Sequence, residues 1–252
     1  MNIFQDFDIM YVVNTDVSTF VNNKQWIKQF GELLIMQTPD EMDGNWEKNK
    51  YAYAYLLQFK DWNRIDLTVL HESKFASMRK DSQSILLLDK DNLIGELAPS
   101  SDKDYLPQPP TEKQFADCCN EFLWVSTYVA KGIWRKELTY SKYMSEQIVK
   151  EELIKLLTWY AGIKSNFEKS IGKCGKYLEK YIEPEIWCQF VKTYTDADYT
   201  HMWDGLLLMC KVFNSIALKI SSHYKYPYNE QEYKDVVAYL KSVKDSMCNK
   251  IK

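Results

Sequence analysis

The sequence predicts an α+β protein, with a mixed sheet in its first domain and an all-α helical bundle in its second. Residues 6–13 alternate in the manner of a strand, so that Asp6 and Asp8 share one face of it. Residues 51–59 and 64–70 are two further β-rich runs, joined by a short polar turn that predicts an antiparallel hairpin. Beyond residue 110 the apolar side chains recur with the period of a helix.

A linker is predicted between residues 98 and 110, where four prolines and a Ser-Ser-Asp stretch interrupt both periodicities. We therefore assign residues 1–105 to the first domain and residues 106–252 to the second. Directly after the linker, Thr111 and Gln114 have the spacing of a capping box, which predicts the start of a helix.

A longer amphipathic helix is predicted from about residue 141 to residue 160, and Gly162 is expected to end it. Three tryptophans of the helical domain, Trp124, Trp134 and Trp159, are expected to lie in its core rather than to serve as platforms for a sugar. Together these elements predict a helical bundle.

Composition and charge restrict the class of protein. The chain has 252 residues, of which 46% are hydrophobic, and its formal net charge is -3. No run reaches the roughly 20 apolar residues that span a bilayer, and the acidic start does not match a signal peptide. Six cysteines without C-x-x-C spacing suit a reducing compartment. We expect a cytoplasmic protein that has no membrane partner.

The charge is divided unevenly along the chain. Residues 1–110 hold 11 basic and 17 acidic side chains, whereas residues 111–252 hold 21 basic and 18 acidic ones. An acidic half beside a mildly basic half suits a cationic substrate and an anionic cofactor, although solvated surfaces give similar asymmetries. Nucleic acid is disfavoured as the main partner.

Three aspartates form the candidate catalytic group. Asp6 and Asp8 lie two residues apart on one strand face, about 7 Å from each other along the backbone. Such a pair suits Mg²⁺, which takes one or two carboxylates together with water and substrate phosphates. Asp66, the only acid of the run 64–70, is the natural third member. The alternatives are a solvated strand face for Asp6 and Asp8, and an ion pair with Arg64 or a lysine for Asp66.

Six blocks spread over nearly the whole sequence form one recognisable series. They are FQDFDIMYVV, QWIKQFGELLIMQTP, NRIDLTVL, DCCNEFLWVSTYVAKGIWRKEL, IGKCGKYLEKYI and YKYPYNEQEY. In order and spacing they resemble the aminoglycoside 6-adenylyltransferase (streptomycin adenylyltransferase) family of the nucleotidyltransferase superfamily. The resemblance implies a nucleotidyltransferase domain followed by a helical domain, with the active site between them.

The resemblance also implies an activity and its residues. Asp6 and Asp8 correspond to the paired metal ligands of the family, and Asp66 corresponds to the third carboxylate, as metal ligand or general base. The implied reaction transfers AMP from ATP to a hydroxyl of a streptomycin-like aminoglycoside, with two Mg²⁺ ions, and gives antibiotic resistance.

Candidate binding residues in the second domain are charged. Lys131 and Arg135, four residues apart on a predicted helix, and Lys173 in a Gly-Lys-Cys-Gly loop are candidates for binding the triphosphate. Glu121, within an aromatic helix, is the candidate for binding a cationic substrate. Solvated helix surface is the alternative for each lysine and for Arg135, and an ion pair with a lysine is the alternative for Glu121.

Enzymes of this kind hold the β- and γ-phosphates with a Gly-Ser turn upstream of the paired aspartates. The sequence begins five residues before Asp6 and contains no such turn. We therefore expect weak ATP binding that depends on magnesium and on side chains such as Lys131. Two rival functions stay open: a catalytically silent relative that binds a nucleotide or a partner, and a nucleotidyltransferase with another acceptor.

Overall fold

The computed structural model describes residues 4, 6–78 and 81–249. The chain divides into two compact units, Met1–Asp81 and Ser82–Lys252. The segment 82–105, which the sequence analysis assigned to the first domain, is therefore grouped with the helices. The functional roles of the two domains stay predictions.

The first unit is built on a four-stranded sheet. Its strands are β1 (Asp6–Val13), β2 (Leu33–Gln37), β3 (Ala52–Phe59) and β4 (Arg64–His71). Their order in the sheet is β1-β4-β3-β2, with β1 parallel to β4 and β3 antiparallel to both of its neighbours. The predicted mixed sheet and the predicted hairpin of β3 and β4 are confirmed.

One face of this sheet carries the core of the first unit. Along β3, buried side chains alternate with half-buried ones because successive residues of a strand point to opposite faces. The buried face is covered by the helix α1 (Ser18–Asn22) and by a 3₁₀ helix at Lys24–Phe30. Two hydrogen bonds to the carbonyl of Phe20 hold these helices in place. The hydroxyl of Tyr55 donates at 2.8 Å and joins α1 to the sheet, and the indole N–H of Trp26 donates at 3.2 Å and joins the two helices.

Two short helices follow β2 at the edge of the sheet, and a carboxylate of the first one binds the backbone of β3. The helices are α2 (Pro39–Met42) and α3 (Asn45–Lys48). Asp40, in the first turn of α2, accepts a hydrogen bond from the backbone N–H of Ala54 at 2.7 Å. The carboxylate thus satisfies a strand donor beyond the last paired residue of β2.

The second unit is helical. Its main helices are α4 (Glu112–Trp134), α5 (Leu138–Tyr143), α6 (Lys150–Lys164), α7 (Pro184–Val191), α8 (Tyr199–Tyr224) and α9 (Glu230–Asn249). The capping box predicted at the start of α4 is confirmed. The hydroxyl of Thr111 accepts from the N–H of Gln114 at 3.2 Å, and the side chain of Gln114 accepts from the N–H of Thr111 at 2.8 Å.

The helix predicted from residue 141 to 160 differs in its bounds. A π-helical segment, Met144–Val149, joins α5 to α6 without a break, and the helix continues to Lys164. The prediction that Gly162 ends it is wrong. Gly162 is buried inside α6, where a Cβ atom would lie 2.4 Å from the ring of Phe167. The glycine is needed for close approach of that ring rather than as a helix stop.

Helix α8 supplies much of the core of the second unit. Among the described residues it is the one helix long and apolar enough to cross a membrane by length and composition. Its apolar side chains pack inside the unit, with Phe213 stacked on Phe122 of α4 at 3.8 Å between ring centroids. The helix therefore has a structural use for its hydrophobic residues.

A cluster of polar side chains joins α6 and α8 to the residue that precedes α7. Tyr160 and Lys164 donate to the same oxygen of Glu183, at 2.7 and 3.0 Å, and Lys219 donates to the hydroxyl of Tyr160 at 3.0 Å. Burial opposes the ionisation of Glu183, but the hydrogen bonds from Tyr160 and Lys164 outweigh it and lower its pKa to about 2.

This shift predicts an acid-dependent loss of stability. In the folded protein the pKa of Glu183 is about 2, below its ordinary value of 4.5. Its contribution is complete above the ordinary pKa and is lost as the pH falls from there towards the folded pKa. We expect Glu183→Gln to lower the Tm near neutral pH and to flatten its decline below about pH 5. Parallel declines of the Tm with pH in the two proteins would contradict this account.

The contact at Gly162 gives a second prediction. In Gly162→Ala the clash with Phe167 should cost about 1 to 3 kcal/mol, while the better helix propensity of alanine returns about 1 kcal/mol. We expect a net loss of stability in thermal unfolding followed by circular dichroism. The double variant Gly162→Ala/Phe167→Ala should lose less than the sum of the two single variants. A higher Tm for Gly162→Ala alone would show that the site has room for a methyl group.

Candidate active site

The parallel pairing of β1 with β4 brings the predicted catalytic aspartates together. Asp8 lies directly opposite Asp66, and Asp6 lies directly opposite Arg64. Because side chains alternate along each strand, these four residues share one face of the sheet. Leu67 points to the opposite face, which is the buried one. The four charged side chains therefore stand on the open face of the first unit.

Arg64 binds both carboxylate oxygens of Asp66. Its Nε and Nη2 atoms donate to the two carboxylate oxygens, at 2.8 and 2.7 Å. The side chains of Arg64 and Asp66 are 42% and 26% exposed, so water reaches both. Asp66 raises the pKa of the Arg64 guanidinium, and Asp6 and Asp8 add smaller effects in the same direction. The ion pair considered as the alternative for Asp66 is thus present.

Asp6 and Asp8 are exposed on β1, which is an edge strand of the described sheet. Within the described part of the chain, no hydrogen-bond donor is assigned to either carboxylate. The positive charge of Arg64, which lies on the neighbouring strand of the same face, attracts both carboxylates. Their oxygens are free to bind an incoming cation.

The carboxylates of Asp6 and Asp8 are the groups of this face that could hold a magnesium ion together with ligands from outside the protein. Within residues 4, 6–78 and 81–249, no three acidic, histidine or cysteine side chains are grouped closely enough to hold a metal ion by themselves. Asp66 is turned towards Arg64, which leaves the carboxylates of Asp6 and Asp8 available for a metal ion. Mg²⁺ commonly takes one or two carboxylates and fills its remaining positions with water and phosphate oxygens.

The other candidate residues lie in the second unit. Glu121, Lys131 and Arg135 are exposed along α4 or at its end, and their spacing of ten and fourteen residues places them on one helix face. Lys173 is exposed in a 3₁₀ turn, Lys173–Gly175, that packs on α6. Three of these four residues thus lie on one face of α4, spread over about 21 Å of its axis, and Lys173 lies on another element.

The sequence predicts a buried position for Trp124, and this prediction is wrong. Its side chain is 58% exposed on α4 instead of lying in the core. Trp159 does pack against the core of the second unit, as predicted. The signal that was missed is the spacing of Trp124 from Glu121 and Lys131, which puts it on the charged side of the helix.

Comparison with known proteins shows the family of the chain. The sequence pattern of the streptomycin adenylyltransferase family matches residues 1–243. The chain belongs to this family. Its membership confirms the family predicted from the sequence blocks.

Relatives in the streptomycin adenylyltransferase family match most of the chain. Aminoglycoside 6-adenylyltransferase from Campylobacter jejuni is 36% identical, over 93% of this chain and 82% of that protein. The protein of the same name from Staphylococcus aureus is 33% identical, over 93% and 84%. The crystal structure of an aminoglycoside 6-adenyltransferase from Bacillus subtilis is similar at a TM-score of 0.52 and 31% identity, covering 94% of this chain and 88% of that one.

The position of Arg64 among three aspartates gives a prediction that needs no substrate. Arg64→Gln removes the cation from the open face and leaves the carboxylates to repel one another. We expect a lower Tm in metal-free buffer, with a loss of unfolding free energy of less than about 1 kcal/mol because the pair is partly exposed. Added Mg²⁺ should then raise the Tm of the variant more than that of the parent protein, since a bound cation stabilises the fold that binds it.

The matched control is the double variant Arg64→Gln/Asp66→Asn, which removes the partner charge as well. Its response to Mg²⁺ should return towards that of the parent. Equal magnesium shifts in all three proteins would show that Arg64 does not compete with a metal for this face.

Proposed function

We propose that this protein transfers the adenylyl group of ATP to a hydroxyl of a streptomycin-like aminoglycoside in a Mg²⁺-dependent reaction, and so gives resistance. Membership of the streptomycin adenylyltransferase family supports the reaction class. The structural observation that carries the proposal is the register of β1 and β4, which sets Asp8 opposite Asp66 on an exposed face. Carboxylates are the protein ligands that Mg²⁺ takes together with phosphate oxygens, and a further carboxylate beside them can accept a proton.

Asp6 and Asp8 would hold the magnesium together with phosphate oxygens of ATP. Bound there, magnesium offsets the negative charge that develops at the α-phosphate and on the departing pyrophosphate. The exposed edge position of both carboxylates suits this role, because a large polyphosphate has to approach them from solvent.

Asp66 is the proposed general base. The acceptor hydroxyl attacks the α-phosphorus, the new O–P bond forms as the bond to the β-phosphate bridging oxygen breaks, and the hydroxyl proton passes to the Asp66 carboxylate. Arg64 holds that carboxylate through two hydrogen bonds and thereby orients it. Each of these oxygens accepts one hydrogen bond from Arg64 and keeps a second lone pair that can accept the hydroxyl proton.

The charged residues of the second unit are proposed to bind the two substrates. Lys131, Arg135 and Lys173 are exposed cations suited to the triphosphate, and Glu121 is an exposed anion suited to a cationic aminoglycoside. The excess of acidic residues in positions 1–110 would attract the same substrate. We place the reaction in the cytoplasm, where ATP is available, with no role for nucleic acid or a membrane.

The proposal predicts different defects for the two kinds of aspartate. Asp8→Asn should keep the fold and lower streptomycin-dependent pyrophosphate release by at least about 100-fold. The reason is that the metal ion which Asp8 would hold stabilises transition-state charge by several kcal/mol. Asp66→Asn should lower kcat with little change in the KM for ATP.

Asp43→Asn is the matched control. It replaces another exposed aspartate of the first unit, and its remaining side-chain oxygen still accepts from the N–H of Asn45. Its activity should equal that of the parent. Turnover of Asp8→Asn close to that of the control would rule out the metal role, and a parent protein without streptomycin-dependent turnover would favour the rival functions.

A further inference from the structure

Helix α4 presents a stripe of aromatic and charged side chains on its outer face. We call it the α4 stripe; its members are Glu121, Trp124, Tyr128, Lys131 and Arg135. Intervals of three and four residues place them in line along the helix. The opposite face of α4 is filled by buried residues such as Phe115, Phe122 and Ile133. Of the two aromatic residues of the stripe, Tyr128 packs partly against that core, whereas Trp124 is exposed.

Trp124 is held in place without being covered. Its indole N–H donates to the hydroxyl of Tyr128 at 2.7 Å, and the two rings meet edge to face with centroids 6.0 Å apart. This hydrogen bond satisfies the polar edge of the indole, while 58% of the side chain stays accessible. The result is a fixed ring that keeps accessible surface for a ligand.

The charges of the stripe are ordered along the helix. Glu121 lies one turn before Trp124, about 4.5 Å along the axis, whereas Lys131 lies about 10 Å beyond it. Lys131 also sits over the ring of Tyr128, with 5.4 Å between its Nζ atom and the ring centroid. Over the described residues, no cation is assigned to the ring of Trp124 and no ion pair to Glu121. The indole and the carboxylate together form the acidic end of the stripe.

An aromatic face beside a carboxylate is the arrangement that recognises an organic cation. A guanidinium or ammonium group over an indole face gains cation–π attraction, and a guanidinium also stacks on the ring. A neighbouring carboxylate accepts hydrogen bonds from the same group. A phosphate, in contrast, would be repelled by Glu121 and attracted to the Lys131 end.

We propose that Trp124 and Glu121 form the binding site for a guanidinium or ammonium group of the aminoglycoside. Tyr128 is a positioning residue, because it orients the indole through its hydroxyl. The inference rests on the proposed function, since it takes the acceptor to be a cationic aminoglycoside. The competing occupant of the same ring is the adenine of ATP, with its phosphates towards Lys131.

The test measures the binding of each substrate by itself, with calorimetry of streptomycin without ATP and of ATP with Mg²⁺ without streptomycin. Trp124→Ala should raise the Kd for streptomycin about tenfold and leave the Kd for ATP unchanged. Trp124→Phe should recover part of the affinity, because it restores an aromatic face. Glu121→Gln should weaken streptomycin binding and reduce its dependence on salt.

Two further variants separate a binding role from a merely structural one. Tyr239→Ala is the control, because Tyr239 is another exposed aromatic residue and lies one turn of α9 after Asp235. This variant should bind streptomycin as tightly as the parent. Tyr128→Phe keeps the ring but removes the hydroxyl that accepts from Trp124, and should raise the Kd for streptomycin less than Trp124→Ala does. Tm values equal to that of the parent would show that these substitutions leave the fold intact.

The outcomes distinguish this inference from the proposed function. If the parent transfers AMP to streptomycin but Trp124→Ala binds streptomycin equally well, the inference alone is overturned. A loss of ATP affinity in Trp124→Ala would assign the ring to adenine and would also overturn it. If the parent binds no aminoglycoside, the proposed function and the inference fail together.

Discussion

The pairing of β1 with β4 in one particular parallel register is the constraint on which the candidate active site depends. It joins segments that lie more than fifty residues apart and places Asp8 opposite Asp66. A slip of one residue would set Asp8 against Ile65 or Leu67 and turn the strand's side chains to the wrong faces. Burial of Leu67 and Val69 on the other face helps to maintain the register. The apolar core on one side thus positions the carboxylates on the other.

The open face of the sheet combines charges that would be unfavourable if unpaired. Three carboxylates stand beside one guanidinium, and among the described residues Arg64 donates side-chain hydrogen bonds to Asp66 alone. Asp6 and Asp8 keep their oxygens exposed to solvent, where hydration limits the cost of two neighbouring negative charges. Such a surface is ready for a further cation.

In the helical unit, α4 has one face that packs in the core and one face that carries exposed side chains. The inner face packs on α8 through contacts such as the stacked pair Phe122 and Phe213, which anchors the helix. On the outer face Tyr128 packs partly against the core, while the exposed side chains follow one another along the helix as acid, aromatic and base. Side chains on a helix are held more firmly than those on a loop, which suits a site that must hold a ligand in one orientation.

Much of this organisation follows from the sequence alone, because periodicity determines which residues share a face. The strand pattern placed Asp6 and Asp8 together, the hairpin of β3 and β4 was evident from its turn, and Thr111 marked the start of α4. Periodicity does not determine what covers a face. Only the tertiary structure decided that β1 pairs with β4, that Arg64 binds Asp66, and that the two sides of α4 are respectively buried and open. Gly162 and Trp124 were predicted wrongly for that reason: the first depends on the approach of a distant ring, and the second on the absence of a covering element among the described residues.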